Sequence, residues 1–138
     1  MSMSEMFPAI GIAATGVNVD QTWIDTIAGN VANADDEATP GKPLYQEQEV
    51  EVAAQPAQGG GPGDGVQVET VNVSTAPPTL EYDPSSPLAN KEGLVAVSNV
   101  NIGHELTSLV EAQVGYEADS NVLQQSDDAY KAILGITS

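Results

Sequence analysis

The chain has no cysteine and no arginine, and only one histidine, one tryptophan and one phenylalanine among its 138 residues. Without thiols there is no disulfide framework, no thiol redox chemistry and no cysteine-ligated zinc. With so few large rings, small and β-branched side chains have to fill the core, and a thin core of that kind gains from partners. No stretch reaches the eighteen or so apolar residues of a membrane span. The opening Met-Ser-Met-Ser-Glu-Met-Phe-Pro carries neither a positive charge nor a long apolar run, so export would need a route other than a cleavable signal peptide.

Positive charge is the other scarcity. Twenty acidic residues face three lysines, Lys42, Lys91 and Lys131, for a formal charge of −17. That charge repels phosphate backbones and anionic lipid, which argues against nucleic-acid binding and membrane insertion. It also opposes self-association unless salt shortens the range of the repulsion, to about 3 Å at 1 M. A saline habitat would suit such a chain.

What is present is helical periodicity at both ends. Positions 7, 10, 14, 17, 21, 24, 28 and 31 read Phe, Ile, Ala, Val, Gln, Ile, Ala, Val, a three-four alternation that predicts a coiled-coil-like helix with Ile10, Val17, Ile24 and Val31 on one seam. Ser2 and Glu5 resemble a capping box, and Pro8 is tolerated in a first turn, so a start between Ser4 and Pro8 is expected. A second row, Ile12, Gly16, Val19, Trp23 and Ile27, lies on the far side of the same helix. Near the C-terminus, about Asn101 to Gly135, Ile102, Leu106, Leu109, Tyr116, Leu123, Tyr130 and Leu134 mark one face, interrupted by Gln113, Ser120 and Asp127, while Val110, Val114, Ala118 and Val122 mark another. One partner cannot cover two faces. The rows fit either a monomeric helical hairpin packed on a small sheet or helices buried between subunits.

The middle has a different texture. Val50–Val52, Val66–Val73 and Leu94–Val97 alternate as strands with one buried face, and the glycine-rich run 59–65 reads as a hairpin loop. Residues 76–87 carry four prolines, which bias their predecessors away from the α region, and read as an extended, turn-punctuated crossing. The fold class expected is α+β: long N- and C-terminal helices forming a coiled-coil-like pair, with a small β-hairpin and extended region between them. Residues 1–33 and 101–138 make one discontinuous helical domain, and 34–100 a β-rich and loop middle.

Catalytic chemistry has no visible residue set. His104-Glu105 would open a zinc-protease pattern, but Ser108 stands where the second histidine belongs. Asp35-Asp36-Glu37 lacks the alternating ligands, central glycine and terminal glutamate of a calcium loop. The glycine-rich run does not end in Gly-Lys-Ser/Thr, so it cannot cradle phosphate in the P-loop manner. Nothing gathers Glu111 and Glu117 into an apolar cleft where one could serve as a general acid. No cofactor, metal or enzymatic activity is expected.

An ordered set of short motifs resembles the axial proteins of the bacterial flagellum, the basal-body rod and hook family, and most closely the small proximal rod type. Ala28-Gly-Asn-Val-Ala-Asn33 is similar to that family's Asn-Asn-x-Ala-Asn motif, matching at Asn30, Ala32 and Asn33, with Gly29 in place of the first asparagine. Thr39-Pro-Gly-Lys-Pro-Leu-Tyr45 is similar to its Thr-Pro-x-Gly-x-Pro-Tyr, one step out in spacing, and supplies Tyr45. Tyr82-Asp-Pro-Ser-Ser-Pro87 with Pro84, Glu92-Gly-Leu-Val95 with Gly93, Ser98-Asn-Val-Asn101 with Asn99 and Asn101, and Tyr116-Glu-Ala-Asp-Ser120 follow in order. Departures include Gln46-Glu47-Gln48 where the family carries basic residues, and Leu94, Ser98 and Asp119 in place of tyrosine, proline and asparagine.

The resemblance implies a structural, non-enzymatic rod subunit of the basal body. It would be exported through the flagellar type III apparatus without a cleavable signal and would polymerise helically with itself and other rod proteins. Its terminal helices would line the export channel and transmit torque. On that reading Ile10, Val17, Ile24 and Val31 pack against Leu106, Leu109, Tyr116 and Leu123 within or between subunits, Ile12, Val19, Trp23, Val114 and Val122 face other neighbours, and Tyr130 is a further interface residue. A generic coiled-coil adaptor or export chaperone is the alternative, and an α+β enzyme with a pocket around His104 a second one. Because charge is the barrier to assembly, light scattering of the purified chain is expected to rise between about 0.1 M and 1 M salt; a flat response would remove repulsion as the controlling term.

Overall fold

A computed structural model describes residues 3–57 and 63–136, with side chains at 8–57 and 63–135. Helix α1 spans Met3–Ala32 and helix α2 Ile102–Ile136, with strands β1 (Glu37–Ala38), β2 (Gln48–Gln55), β3 (Gly65–Val73), β4 (Thr79–Tyr82) and β5 (Leu94–Val97) between them. The α+β class and both helices agree with the periodicity. Ser2 and the side chains of Glu5 and Phe7, together with positions 58–62 of the glycine-rich run, lie outside the described residues. The helix begins at Met3, before the range expected from Pro8, and Pro8 sits in its second turn, where its ring costs one hydrogen bond to the Ser4 carbonyl.

The two helices run antiparallel. Asn30 meets Glu105, Asp20 lies against Gly115, and Asp119 lies against Gly16, so residue numbers rise on one helix as they fall on the other. The intrachain seam therefore follows Gly16, Asp20, Ile27 and Asn30 on α1, and Glu105, Ala112, Gly115 and Asp119 on α2. Ala112 is fully buried. On α2 this seam is built from small and polar residues at three-four spacing, one position off the leucine and tyrosine row. Small side chains let two backbones approach closely and leave the large ones outside. Ile10, Val17 and Ile24 are half-buried beside the seam and Val31 is exposed; Leu109 and Leu123 are half-buried, and Leu106, Val114, Tyr116 and Tyr130 are exposed. Within one chain, then, the leucine and tyrosine row does not form the helix seam.

Strands β2 and β3 form an antiparallel hairpin laid along the other side of α1. Its tip is fixed by Thr15, whose hydroxyl donates to the Ile12 carbonyl (2.6 Å) and accepts the Val66 N–H (3.0 Å). Gly65 sits at φ +117° with Thr15 where a Cβ would go, so a side chain is excluded there. The pairing shifts between Glu51 and Val52, which moves the inward-facing positions of β2 from Gln48 and Val50 to Ala53 and Gln55.

Strands β1, β5 and β4 form a second, antiparallel sheet in that order. Val95 and Ala96 of the central strand are buried with Ala34 and Ala38, tying the end of α1 to the approach to α2. The sequence reading found β5 but not the short strands flanking it, because β1 is two residues in an acidic turn and β4 stands between proline pairs. The 83–93 loop closes through the Asn90 carbonyl side-chain oxygen, which accepts from Glu92 N and Leu94 N (both 2.9 Å), and through Gly93 at φ +76°. A Cβ on Gly93 would stand 2.9 Å from the Tyr82 ring and 3.1 Å from Pro84 Cβ.

Gly93→Ala is therefore expected to lose at least ~1–2 kcal/mol, from the left-handed backbone alone. Gly29→Ala should act in the opposite sense: its Cβ would meet only the Tyr45 hydroxyl at 3.6 Å, and a helical Gly→Ala change gains up to ~1 kcal/mol. Urea denaturation of the two variants checks both, and an equal loss in each would refute the distinction.

Candidate functional site

The exit of α1 is where the molecule converges. Asn30, 1% exposed, lies in the last full turn of α1 with its carboxamide pointing away from the helix. Its Nδ2 donates to the Gln48 carbonyl (2.8 Å) and to Glu105 Oε2 (3.1 Å), and its Oδ1 accepts from Gln48 N (2.9 Å) and the Tyr45 hydroxyl (2.9 Å). All four hydrogen-bonding positions of the side chain are used. One residue thereby closes the first bond of β2, holds the 43–47 segment through Tyr45 and engages the first turn of α2. The two motif asparagines differ in role: Asn33 Nδ2 caps the Gly29 carbonyl (2.8 Å) at the helix end, while Asn30 is a buried tie.

Neighbouring asparagines extend the same network. Asn99 accepts Glu47 N (2.8 Å) and donates to Ser74 Oγ (3.1 Å) and the Ala76 carbonyl (3.2 Å), joining both ends of the hairpin to the approach to α2. Asn101 caps α2 by accepting His104 N (3.1 Å), which sets Glu105 in the first turn, where a carboxylate suits the helix dipole. Glu105 is 4% exposed. Burial and a hydrogen bond to Glu105, with its charge, push the Glu47 carboxyl up, against a smaller opposing pull from His104. Burial, then the Glu105 charge, raises the Tyr45 phenol. Every buried side-chain nitrogen and oxygen among the described residues has a partner.

Beside this node, the hairpin, the second half of α1 and the start of α2 enclose an open groove of about 620 Å³. Trp23, Ile27 and Val50 supply apolar wall, and Glu47, Glu49, Glu111 and His104 line its polar side. His104 is exposed, and no group of three or more potential metal-ligating side chains occurs among the described residues. Glu105 is committed to Asn30 and Glu47, so the groove offers no free buried acid or base.

Of the residues singled out in the sequence, Asn30, Asn33, Tyr45, Pro84, Gly93, Asn99 and Asn101 each hold a turn, cap or tie in or near this junction; Ala32 is exposed. Gly115 carries no signal in the sequence, and Glu105, Gln48 and Gly16 stand out there only in other connections: Glu105 beside His104, Gln48 as a departure from the family and Gly16 in the second row of α1. The spacing of Asn101 and Glu105 at a helix start was the available signal for Glu105.

The comparisons with known proteins fit this junction. A family model described as the C-terminal part of the flagellar basal body rod FlgEFG proteins matches residues 91–136, which span the Gly93 turn, β5, Asn99, the capping Asn101 and α2. The flagellar basal-body rod protein FlgC of Borreliella burgdorferi is 31% identical over 95% of this chain and 97% of its own length. The chain belongs to the FlgC family of flagellar basal-body rod proteins. FlgC of Salmonella typhimurium is 36% identical over 81% of this chain and 83% of its own, and that of Yersinia enterocolitica 34% over 89% of each. In this FlgC-family chain the rod-type motifs are the residues that turn the path from α1 through two sheets into α2.

Replacing Asn30 by Ala strands the Gln48 amide and carbonyl, the Tyr45 hydroxyl and Glu105 in a buried place, and is expected to cost about 3 kcal/mol or more. Asn30→Asp should be at least as damaging, since it loses both donated bonds and sets a second carboxylate against Glu105. Tyr45→Phe loses one bond and should cost about 1 kcal/mol. Chemical denaturation orders the three, and an Asn30→Asp chain as stable as the parent would show that the tie is not needed.

Proposed function

We propose that this chain is a structural, non-catalytic subunit of the flagellar basal-body rod, residing in the basal body and assembling with other rod subunits. The observation that carries this reading is the full-length likeness to FlgC. The surface supports it. Along α2 the exposed Ile102, Leu106, Val110 and Val114 recur every four residues, with exposed Tyr116, Val122, Tyr130 and Leu134 continuing toward the end, and Ile12 and Val31 are exposed on α1. Single exposed apolar residues are ordinary, but a helix-long row is a surface for other helices.

In this reading the leucine and tyrosine row, with Ile10, Val17 and Ile24 beside the intrachain seam, makes contacts between subunits. The helical unit 1–33 and 101–138 forms the inner part of a helical assembly and carries torque along the channel, and residues 34–100 form an outer sleeve. A repeating contact between unlike faces does not close, which is the symmetry a rod needs. Passage through the flagellar type III export apparatus delivers the subunit. A cytosolic adaptor or chaperone would share the helices but would have no use for an exposed face in the assembled basal body.

Two measurements test the reading. Basal bodies purified from the source bacterium are expected to contain the chain, and deletion of its gene to abolish flagella and motility; a chain found only in the cytosol would overturn it. Val114→Asp and Tyr116→Asp lie outside the intrachain seam, so they should retain the parent's circular dichroism and thermal midpoint yet lower incorporation into basal bodies by tenfold or more. Full incorporation of both would remove the α2 face from the contact.

A further inference from the structure

Midway along the helix pair, two aspartates on opposite helices each lie over a glycine of the other. Asp20 of α1 lies against Gly115 of α2, where an added Cβ would stand 3.0 Å from its Oδ2, and Asp119 of α2 lies so far over Gly16 of α1 that a Cβ there would overlap its carboxylate. The arrangement is reciprocal. Gly16 and Asp20 are one turn apart on α1, as are Gly115 and Asp119 on α2, so antiparallel packing seats each carboxylate in the notch of the other helix. Both aspartates are half-buried.

Their surroundings leave the pair to itself. On α1 the next ionisable side chain is the exposed Asp25, which accepts from Gln21. On α2 the nearest are exposed Tyr116 and Glu117, with Glu111 toward the groove, and Lys131 bonds Asp127 farther along. The hairpin meets this stretch of α1 with Gln55, Val66, Gln67 and Val68, none of them ionisable, while its Glu51 and Glu69 are exposed. Burial first, and then the Asp119 charge, raises the Asp20 carboxyl above the usual range.

We infer that Asp20 and Asp119 form an acid-closed clasp on the helical hairpin. With both ionised the seam holds against their repulsion and the cost of burying charge, and protonation in the seam relieves both and lets the helices close. The direction with pH follows from linkage: a carboxyl whose folded-state pKa is raised binds more protons when folded, so stability falls as pH rises through the folded value. The hairpin gains stability as pH is lowered from 7 through that value, and has the full gain below the unfolded value of about 3.9. This clasp depends on the helix pair alone and stands apart from the rod reading.

Thermal unfolding of the full chain between pH 7.5 and 5, followed by circular dichroism, tests it. The background is Glu47→Gln, because the raised Glu47 carboxyl titrates in the same direction. In that background the midpoint should rise as pH falls. Asp20→Asn should raise the midpoint at pH 7.5 by several degrees and abolish most of the rise on acidification, and Asp119→Asn should raise the midpoint and reduce that rise. Glu117→Gln, which removes one exposed charge from the same helix, should leave that rise in place. The clasp is overturned if the asparagine variants keep the parental pH slope, or if Glu117→Gln flattens it equally. An asparagine variant that melts earlier or fails to fold also counts against it, since an uncharged isostere relieves the repulsion the clasp requires.

Discussion

Asn30 commits both donors and both acceptors of its carboxamide to three segments distant in the chain, and the rest of the architecture is organised around that commitment. Its bonds to Gln48 start the β2–β3 hairpin in register. Its bond to Tyr45 fixes the route from the α1 exit to that hairpin, and its bond to Glu105 sets where α2 begins relative to α1. A buried amide with all its valences met is rigid, because any displacement leaves a donor or acceptor unpaired at a cost of about 1–3 kcal/mol. The junction can therefore specify one geometry in a chain whose hydrophobic core is thin.

That thin core explains how the two helices divide their labour. Close approach at Gly16, Ala112 and Gly115 joins α1 to α2, with Leu106, Tyr116, Tyr130 and Leu134 of the leucine and tyrosine row left exposed and Leu109 and Leu123 half-buried. Large apolar groups stay on the outside of α2, and several valines, Val52, Val71 and Val73, stay on the outside of the hairpin. The fold of one chain uses small residues within itself and leaves many of the larger ones exposed. Its charge, carried mostly on exposed carboxylates, gives those surfaces a mutual repulsion that salt screens.

Periodicity in the sequence located both helices to within a few residues, and alternation located β3 and β5, since these signals depend only on local burial. It could not say which helical face turns inward. The coiled-coil reading chose Leu106, Leu109, Tyr116 and Leu123 because hydrophobicity is the usual mark of a seam, whereas this seam is selected by size, through Ala112 and Gly115. β1 and β4 were missed because their residues are strands only in the company of β5. The junction was half legible: Asn30, Asn99 and Asn101 stood out as motif residues, but a sequence shows no partner, so nothing in it marks Asn30 as a buried tie. Glu105 went unremarked as more than the neighbour of His104.

The pairs that close the helical hairpin are far apart in the chain. Asn30 and Glu105 are separated by 75 residues, and Gly16 and Asp119 lie still farther apart. Contacts of such separation form only after a large loop closes, so topology makes the pairing of α1 with α2 a late event in folding. During synthesis α1 is complete long before any residue of α2 exists, and for that interval it has only itself and, later, the β2–β3 hairpin to pack against. The two ends of the chain are first and last to be made, and the fold is finished only when they meet.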